Sequence, residues 1–200
     1  MQTRKFGDQA VQIARMARLQ EPHVAALTDF SDAIAQDVRW WTPYFDPASG
    51  GSGAKVLLFL ESPGPAVSET GFVSQDNPDL TAGNMTHLLN DAELDRSDTV
   101  LWNIVPWQMS AKEVVTPTRA QLEQAAPYTV GLLGLLPELM TVVLVGAKAQ
   151  RGWKYVELPR ERHFSVCTCP HPSPQNFNTR PAQREEAMAQ LLRVAEQIKL

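Results

Sequence analysis

The stretch "KVLLFLESPGP", residues 55–65, is an apolar run that ends abruptly in Glu61, Ser62 and Pro63. A continuous apolar run, rather than an alternating one, is typical of a strand that is buried on both faces of a parallel sheet. Later stretches of the chain have the same character. Together they predict strands at residues 55–62, 99–107 ("TVLWNIVPW"), 141–146 ("TVVLVG") and 163–170 ("HFSVCTCP").

Helical patterns lie between and after these runs. Thr118 and Gln121 have the spacing of a capping box, which predicts that a helix begins there within residues 117–136. A shorter helix is predicted at residues 82–94. Residues 179–200 repeat apolar side chains at helical spacing, namely Ala187, Leu191, Val194 and Ile198. Strands that alternate with helices predict an α/β protein, a three-layer α/β/α sandwich with right-handed crossovers.

The length and composition suit one domain. The chain has 200 residues, 44% of them hydrophobic and 20% charged. We predict a single domain over residues 1–200, in which a helical and irregular segment at 1–54 precedes the sheet core and site at 55–200. Residues 1–19 indicate an amphipathic helix rather than a secretory signal, and the apolar runs are too short to span a bilayer. We therefore expect a cytoplasmic monomer with no membrane contact.

Metal binding is not indicated by the cysteines and histidines. Cys167 and Cys169 are too few for a zinc or iron–sulfur set, and we interpret them as buried, inert thiols. His23, His87 and His163 have no second ligand at metal spacing. We expect neither a metal nor a cofactor. The net charge of −4 neither indicates nor excludes nucleic-acid binding, because it averages over all faces of the molecule.

Polar residues follow several of the predicted strands, at the edge where ligands bind to open α/β sheets. Asn103 offers an acceptor and two donors that can read the edge of a base, and Phe72 offers a face for stacking. His171 can donate a hydrogen bond to an oxygen that gains negative charge. Glu61 can orient a water molecule or stabilise a developing cation.

Two serines stand in Pro-rich turns at the same edge. Ser62 and Ser173 are each followed by proline, and their hydroxyls suit phosphate contacts. We expect the prolines around His171 to prevent the segment from extending a sheet or beginning a helix; they are Pro170, Pro172 and Pro174. Every one of these polar residues also has a structural interpretation, as a turn former, a cap or a core residue.

A known family carries these motifs in this order. The stretches "VLLFLESPGP", "GFVS", "LWNIVPW" and "CPHPSPQNFN" resemble the uracil-DNA glycosylase superfamily, from residue 55 to the C-terminal helix. The resemblance implies a four-stranded parallel sheet with helices on both faces. It also implies that the partner is DNA and that a base flipped out of the duplex is excised.

The resemblance implies a role for each residue of the catalytic pocket. Asn103 would read the edge of the flipped base, and Phe72 would stack on it. His171 would stabilise negative charge on the O2 atom of the departing base. Ser62 and Ser173 would compress the DNA backbone.

Residues beyond the last Pro-rich turn would also contact DNA. Gln175, Asn176 and Phe177 would fill the space that the flipped base leaves in the stack. Arg180 would contact a phosphate.

The chain departs from the family pattern at the first motif. Ser62 stands where the best-studied branch has Asp, and Leu60 stands where the motif usually has Gly. Glu61 resembles a branch that usually carries iron–sulfur cysteines, which this chain lacks. The catalytic water would therefore be held by Glu61, by Ser62 or by the backbone.

Three functions fit these residues. The first is a monofunctional DNA glycosylase that hydrolyses the N-glycosidic bond of uracil, or of a related damaged or modified base, in base-excision repair. The second is a catalytically weak or inactive nucleic-acid-binding member of the same superfamily. The third is a small-molecule hydrolase that uses Ser173 and His171, but the sequence shows no orienting carboxylate or nucleophile elbow for it.

Overall fold

A computed structural model describes residues 5–110, 112–113, 115–158 and 163–199. Within them the strands are β1 (Tyr44–Phe45), β2 (Val56–Leu60), β3 (Phe72–Val73), β4 (Thr99–Asn103), β5 (Thr141–Val145) and β6 (Ser165–Cys169). Strands β2, β4, β5 and β6 form a parallel sheet in the order β4-β2-β5-β6, and the short β1 and β3 form a separate parallel pair. The predicted four-stranded parallel sheet is confirmed.

The helices flank this sheet in two groups. In chain order they are α1 (Gln9–Met16), α2 (Ala25–Val38), α3 (Pro65–Thr70), α4 (Leu80–Asp91), α5 (Arg119–Gly134), α6 (Gly146–Trp153), α7 (Pro174–Thr179) and α8 (Pro181–Ile198). Helix α6 packs on β5 and β2 and is joined by α5, which contacts α2. Helix α8 packs on β6 and α4. The α/β sandwich is therefore built as the sequence predicts.

The order of the strands creates a crevice at their carboxyl ends. From β2 the chain crosses to β4 at one edge, then returns past β2 to β5 and β6 on the other side. Such a reversal leaves the loops after β2 and β5 diverging, and ligands bind in the gap between them. The register places Asn103 beside Leu60 and Cys169 beside Val145. All four strand ends thus lie along one edge.

The core explains why the apolar runs are continuous. Every residue of β4 and β5 is buried, and so are the first four of β2. Trp102 also stacks on Phe45, with ring centroids 3.6 Å apart. Strand β6 lies at the sheet edge and is only half-buried along most of its length. At its end Cys169 is buried, and burial raises the pKa of its thiol to about 12, whereas Cys167 is half-buried.

Two predicted boundaries are corrected by the structure. The strand expected to reach residue 107 ends at Asn103, although the amides of Ile104 and Val105 still donate to the carbonyls of Leu60 and Glu61. Pro106 cannot continue such a ladder.

The Pro-rich turn also differs from expectation, because helix α7 begins at Pro174. A proline at the first helical position is tolerated, since its missing N–H has no helical partner there.

The N-terminal prediction is partly corrected. Residues 1–4 of the expected helix lie outside the described residues. A single 3₁₀ turn at Lys5–Gly7 precedes α1, and Asp8 caps α1 by accepting from the amide of Ala10 at 2.8 Å. The capping box of α5 is confirmed, with Thr118 and Gln121 exchanging both hydrogen bonds. The interpretation of residues 1–200 as one domain stays a prediction.

Candidate active site

A cavity of about 900 Å³ opens at the carboxyl edge of the sheet. Its walls come from the ends of β2, β4 and β5, from the Pro-rich turn after β6, and from α3, α4 and the region around α7. The cavity is large enough to hold a base with its sugar, since small-molecule sites range from about 300 to 1,000 Å³. Most of the predicted site residues line it, namely Glu61, Ser62, Asn103, His171, Ser173, Gln175, Asn176 and Arg180.

Two buried oxygen atoms in the cavity lack hydrogen-bond partners among the described residues. Asn103 is 4% exposed, and its Oδ1 atom is one of them; the other is Oε1 of Glu61. Both side chains line the cavity, and the strand ends that carry them are adjacent, because Asn103 is paired with Leu60 and the amide of Val105 donates to the carbonyl of Glu61 at 3.0 Å. Buried polar atoms are nearly always satisfied. These acceptors are therefore suited to donors from a ligand or a water molecule.

Lys148 is a functional candidate that the sequence interpretation missed. It lies in the first turn of α6, and its Nζ atom is 2.9 Å from Oε2 of Glu61. The side chain of Glu61 is 11% exposed and that of Lys148 is 46% exposed. The stretch "GAKAQRG" does follow a predicted strand, but it has no proline to indicate a rigid turn.

His171 is held against the end of β5. Gly146 has a φ angle of +83°, and a Cβ atom built on it would lie 2.8 Å from the Cβ atom of His171. Burial lowers the pKa of His171, and the positive charge of Lys148 lowers it further, against the opposing effect of Asp79. The imidazole is therefore neutral near pH 7 and can donate a hydrogen bond through one ring nitrogen.

The Pro-rich turn is fixed by two asparagine side chains. Nδ2 of Asn84, in α4, donates to the carbonyl of Pro172 at 2.8 Å, and Nδ2 of Asn176 donates to the carbonyl of His171 at 3.0 Å. The hydroxyl of Ser173 caps α7 by accepting from the amide of Asn176 at 3.3 Å. The rigidity that the prolines indicate is thus completed by side chains, and Asn84 could not be found from spacing alone.

Phe72 is not brought to the cavity wall. Its ring is fully buried and stacks on Phe6, with centroids 5.3 Å apart and an interplanar angle of 13°. Its neighbours Val73 and Ser74 line the cavity instead. Stacking of a base on Phe72 stays a prediction, and it requires Phe6 to be displaced or the ring of Phe72 to turn.

The residues expected to fill the vacated space in DNA separate into two kinds. Phe177 packs against the hydrophobic core, and Asn176 is engaged in the turn, which leaves neither free in this conformation. Gln175 and Arg180 are exposed at the rim of the cavity. In this structure Gln175 is the better placed to enter a base stack.

A buried ionic network supports one wall of the cavity. Arg15 and Arg96 each pair with both Asp46 and Asp76, at distances that include 2.5 Å for Arg96 to Asp46 and 2.9 Å for Arg96 to Asp76. Ser74, which lines the cavity, donates to Asp46. Burial acts to raise the pKa of Asp76, but the two guanidinium groups outweigh it and lower that pKa. The network ties α1 to the wall.

Other functions find less support in this geometry. In the described part of the chain, no carboxylate hydrogen-bonds to His171, as a serine hydrolase would require. Over the same residues there is no group of three or more His, Cys, Asp or Glu side chains arranged to hold a metal ion. Also within those residues, every helix is too short or too polar to cross a bilayer.

The fold and the cavity together define an α/β protein with a ligand-sized cavity, which several polar side chains line, at the carboxyl edge of an open parallel sheet. The family model for the Uracil DNA glycosylase superfamily matches residues 47–193, and the chain belongs to this superfamily. The resemblance seen in the motifs is thereby confirmed. Membership supports a DNA glycosylase-like function and DNA binding in general. A search of the curated proteins found no match to the chain.

Proposed function

We propose that this protein hydrolyses the N-glycosidic bond of uracil, or of a related damaged or modified base, after the base has flipped out of DNA. The observation that carries the proposal is the meeting of Asn103, His171 and Glu61 in one cavity. Asn103 presents a buried, unpaired oxygen, and His171 presents a neutral ring. Flipping costs a few kcal/mol, which stacking and edge hydrogen bonds in such a pocket offset.

The proposed reaction places negative charge on the base and positive charge on the sugar. As the C1′–N bond breaks, its electron pair moves onto the base, and the charge reaches the O2 atom. A donor aimed at that oxygen stabilises the transition state. His171 supplies the donor, and the backbone around it is held still by Asn84, Asn176 and Gly146. The DNA phosphates balance the sugar cation.

Asn103 sets the choice of base in this proposal. Its Oδ1 atom accepts from a ring N–H, while its Nδ2 group donates to a carbonyl oxygen on the same edge. Uracil offers this pair of groups. A base with a donor in place of the carbonyl leaves one buried amide group unpaired, which costs about 1–3 kcal/mol.

Glu61 is the water-activating group in this proposal. The serine at position 62 has no carboxylate, so Glu61 is the acidic side chain next to the strand end of β2. Its Oε1 atom is buried and unpaired among the described residues, so this oxygen has an unused capacity to accept a hydrogen bond. Ser62, Ser173 and Arg180 lie around the cavity where phosphate contacts are expected.

The first experiment measures strand scission. Single-stranded and mismatched oligonucleotides that contain uracil are incubated with the protein and then cleaved with alkali, alongside substrates with hypoxanthine and modified pyrimidines. We expect excision of at least one base. No scission with any of these substrates would contradict the proposal.

The second experiment tests the assigned residues. The His171→Ala and Asn103→Ala variants should each excise the base slower by several orders of magnitude, with circular dichroism spectra like that of the wild type. Wild-type rates in both variants would show that neither side chain takes part in excision.

A catalytically weak DNA-binding member is the second candidate, and two observations favour it. Ser62 replaces the acidic residue of the best-studied branch, and Phe6 covers the ring of Phe72. Tight binding of a base-containing oligonucleotide with no product under single-turnover conditions would support this candidate over the first.

A further inference from the structure

Lys148 and Glu61 form an ion pair inside the cavity that neither the family match nor the motifs assign. The pair joins the first turn of α6 to the end of β2, and the Nζ–Oε2 distance is 2.9 Å. Such charge-assisted hydrogen bonds are short and strong. One carboxylate oxygen is therefore occupied. The other, Oε1, is buried with no partner among the described residues.

We propose that Lys148 is a positioning residue for hydrolysis, which fixes the Glu61 carboxylate so that Oε1 alone receives a proton from the attacking water. The inference rests on the proposed function and deepens it. In this step the water oxygen bonds to C1′, its proton moves to Oε1 of Glu61, and the C1′–N electron pair leaves with the base. Lys148 keeps its own proton throughout and touches no reacting atom.

The positive charge of Lys148 also affects the protonation of His171. This charge disfavours protonation of His171, since it destabilises a second cation nearby. The pKa of His171 is indeed lowered by burial and then by Lys148. A neutral imidazole can donate a hydrogen bond to the base. The ammonium group of Lys148 thus favours the state of His171 that the proposed reaction requires.

Phosphate binding is the competing role for Lys148, because its side chain is 46% exposed. The two roles predict different losses. A phosphate contact contributes to affinity and to its salt dependence, whereas a positioning residue contributes to the rate at saturation. The two roles also differ in whether the loss caused by Lys148→Met requires that Glu61 be present.

The experiment is a double-mutant cycle in single-turnover excision with the enzyme in saturating excess. The variants are Lys148→Met, Glu61→Gln and the two combined, with Lys154→Met as the matched control, since Lys154 is exposed and lies outside the cavity. We expect Lys148→Met to lower the rate about 10- to 100-fold, which is less than the loss of about 100- to 10,000-fold expected when general-base catalysis is removed, because the Glu61 carboxylate is still present. The double variant should be no slower than Glu61→Gln, and Lys148→Arg should recover part of the rate.

Two results in this cycle would overturn the inference. One is an additive loss in the double variant, which would show that Lys148 acts without Glu61. The other is weaker DNA binding and a smaller salt dependence with an unchanged rate at saturation, which would show a phosphate contact.

A second measurement does not depend on activity. In NMR spectra, the ammonium protons of Lys148 should exchange with water more slowly than those of Lys154, and the difference should vanish in Glu61→Gln. The titration midpoint of His171 should rise in Lys148→Met and stay unchanged in Lys154→Met. The other charged residues that line the cavity, Asp79, Arg180 and Glu186, are the same in all variants, so they do not contribute to this difference.

The two measurements separate failure of the inference from failure of the proposed function. Equal exchange rates for the two lysines in a wild-type protein that excises bases would overturn the inference and leave the function standing. If the wild-type protein excises no base while the ion pair is present, the proposed function and the catalytic role of Lys148 both fail.

Discussion

Alanine in place of Gly146 should slow base excision, because it pushes His171 out of position. The Cβ atom of alanine would lie 2.8 Å from the Cβ atom of His171 and 3.3 Å from its Cδ2 atom. Ordinary contact begins near 3.4 Å, so the two residues must separate by at least about 0.6 Å, the difference between 3.4 and 2.8 Å. His171 cannot retreat freely, since Asn176 holds the carbonyl group of His171 and Asn84 holds that of Pro172.

The expected loss of excision rate follows from the displacement of His171. A misplacement of about 1 Å in a catalytic site can cost about 100-fold in rate, so we expect excision to be roughly 10- to 50-fold slower. The backbone is strained as well, because the φ angle of +83° at position 146 is unfavourable for alanine by about 1–2 kcal/mol. For a chain of this length, the melting temperature should fall by about 2–8 °C. The variant therefore stays folded in the assay.

The assay combines single-turnover excision with thermal unfolding followed by circular dichroism. Gly134→Ala is the matched control, because Gly134 ends α5 and has no atom within 4 Å of a built Cβ atom. The control should excise at the wild-type rate. A Gly146→Ala variant that is less stable but excises at the wild-type rate would refute the idea that close packing of Gly146 against His171 sets the position of the imidazole.

Further predictions concern the ionic network and pH. Asp46→Asn removes a buried charge that faces two guanidinium groups and should lower the free energy of unfolding in urea by about 3–5 kcal/mol, whereas Asp29→Asn, at an exposed position, should not. The pKa of Asp76 is lowered on folding, so its contribution to stability is fully present above the ordinary value of 3.8 and is lost as pH falls below 3.8 through the lower folded-state pKa. The urea stability of the Asp76→Asn variant should therefore depend less on pH in that acidic window. The lowered pKa of His171 keeps the ring neutral below 6.5, so excision should persist as pH falls past 6.5, and an acid limit above 6.5 would contradict this.

The sheet could be predicted because its physical cause is local. Residues buried on both faces of a parallel strand are mostly apolar, and Val56–Leu60 and residues 142–145 show this directly. Helix α2 has no such signature, since its buried face includes Thr28 and Ser31 beside Leu27 and Ile34. Their hydroxyls donate to the carbonyls of Leu19 and Leu27, which makes burial tolerable but hides the helical pattern.

The residues of the candidate site also include some that the sequence could predict and some that it could not. Asn103 ends β4 and Glu61 follows β2, so topology alone brings them to one edge. The motif around Phe72 predicts that its ring faces the cavity, but β3 is only two residues long, and alternation along it presents Val73 instead. The pairing of Arg15 with Asp46 joins residues 31 positions apart, and no periodicity in one sequence indicates such a contact.

The missing acidic residue at position 62 has a physical consequence for DNA binding. Under the proposed function, a second carboxylate beside Glu61 would add negative charge to the cavity that receives DNA. The cavity instead has serine there, and Lys148 pairs with Glu61, so that this ion pair adds no net charge. In the proposed reaction the DNA phosphates would supply the negative charge that faces the sugar cation, and the net charge of −4, which averages over all faces, does not oppose DNA binding at this edge.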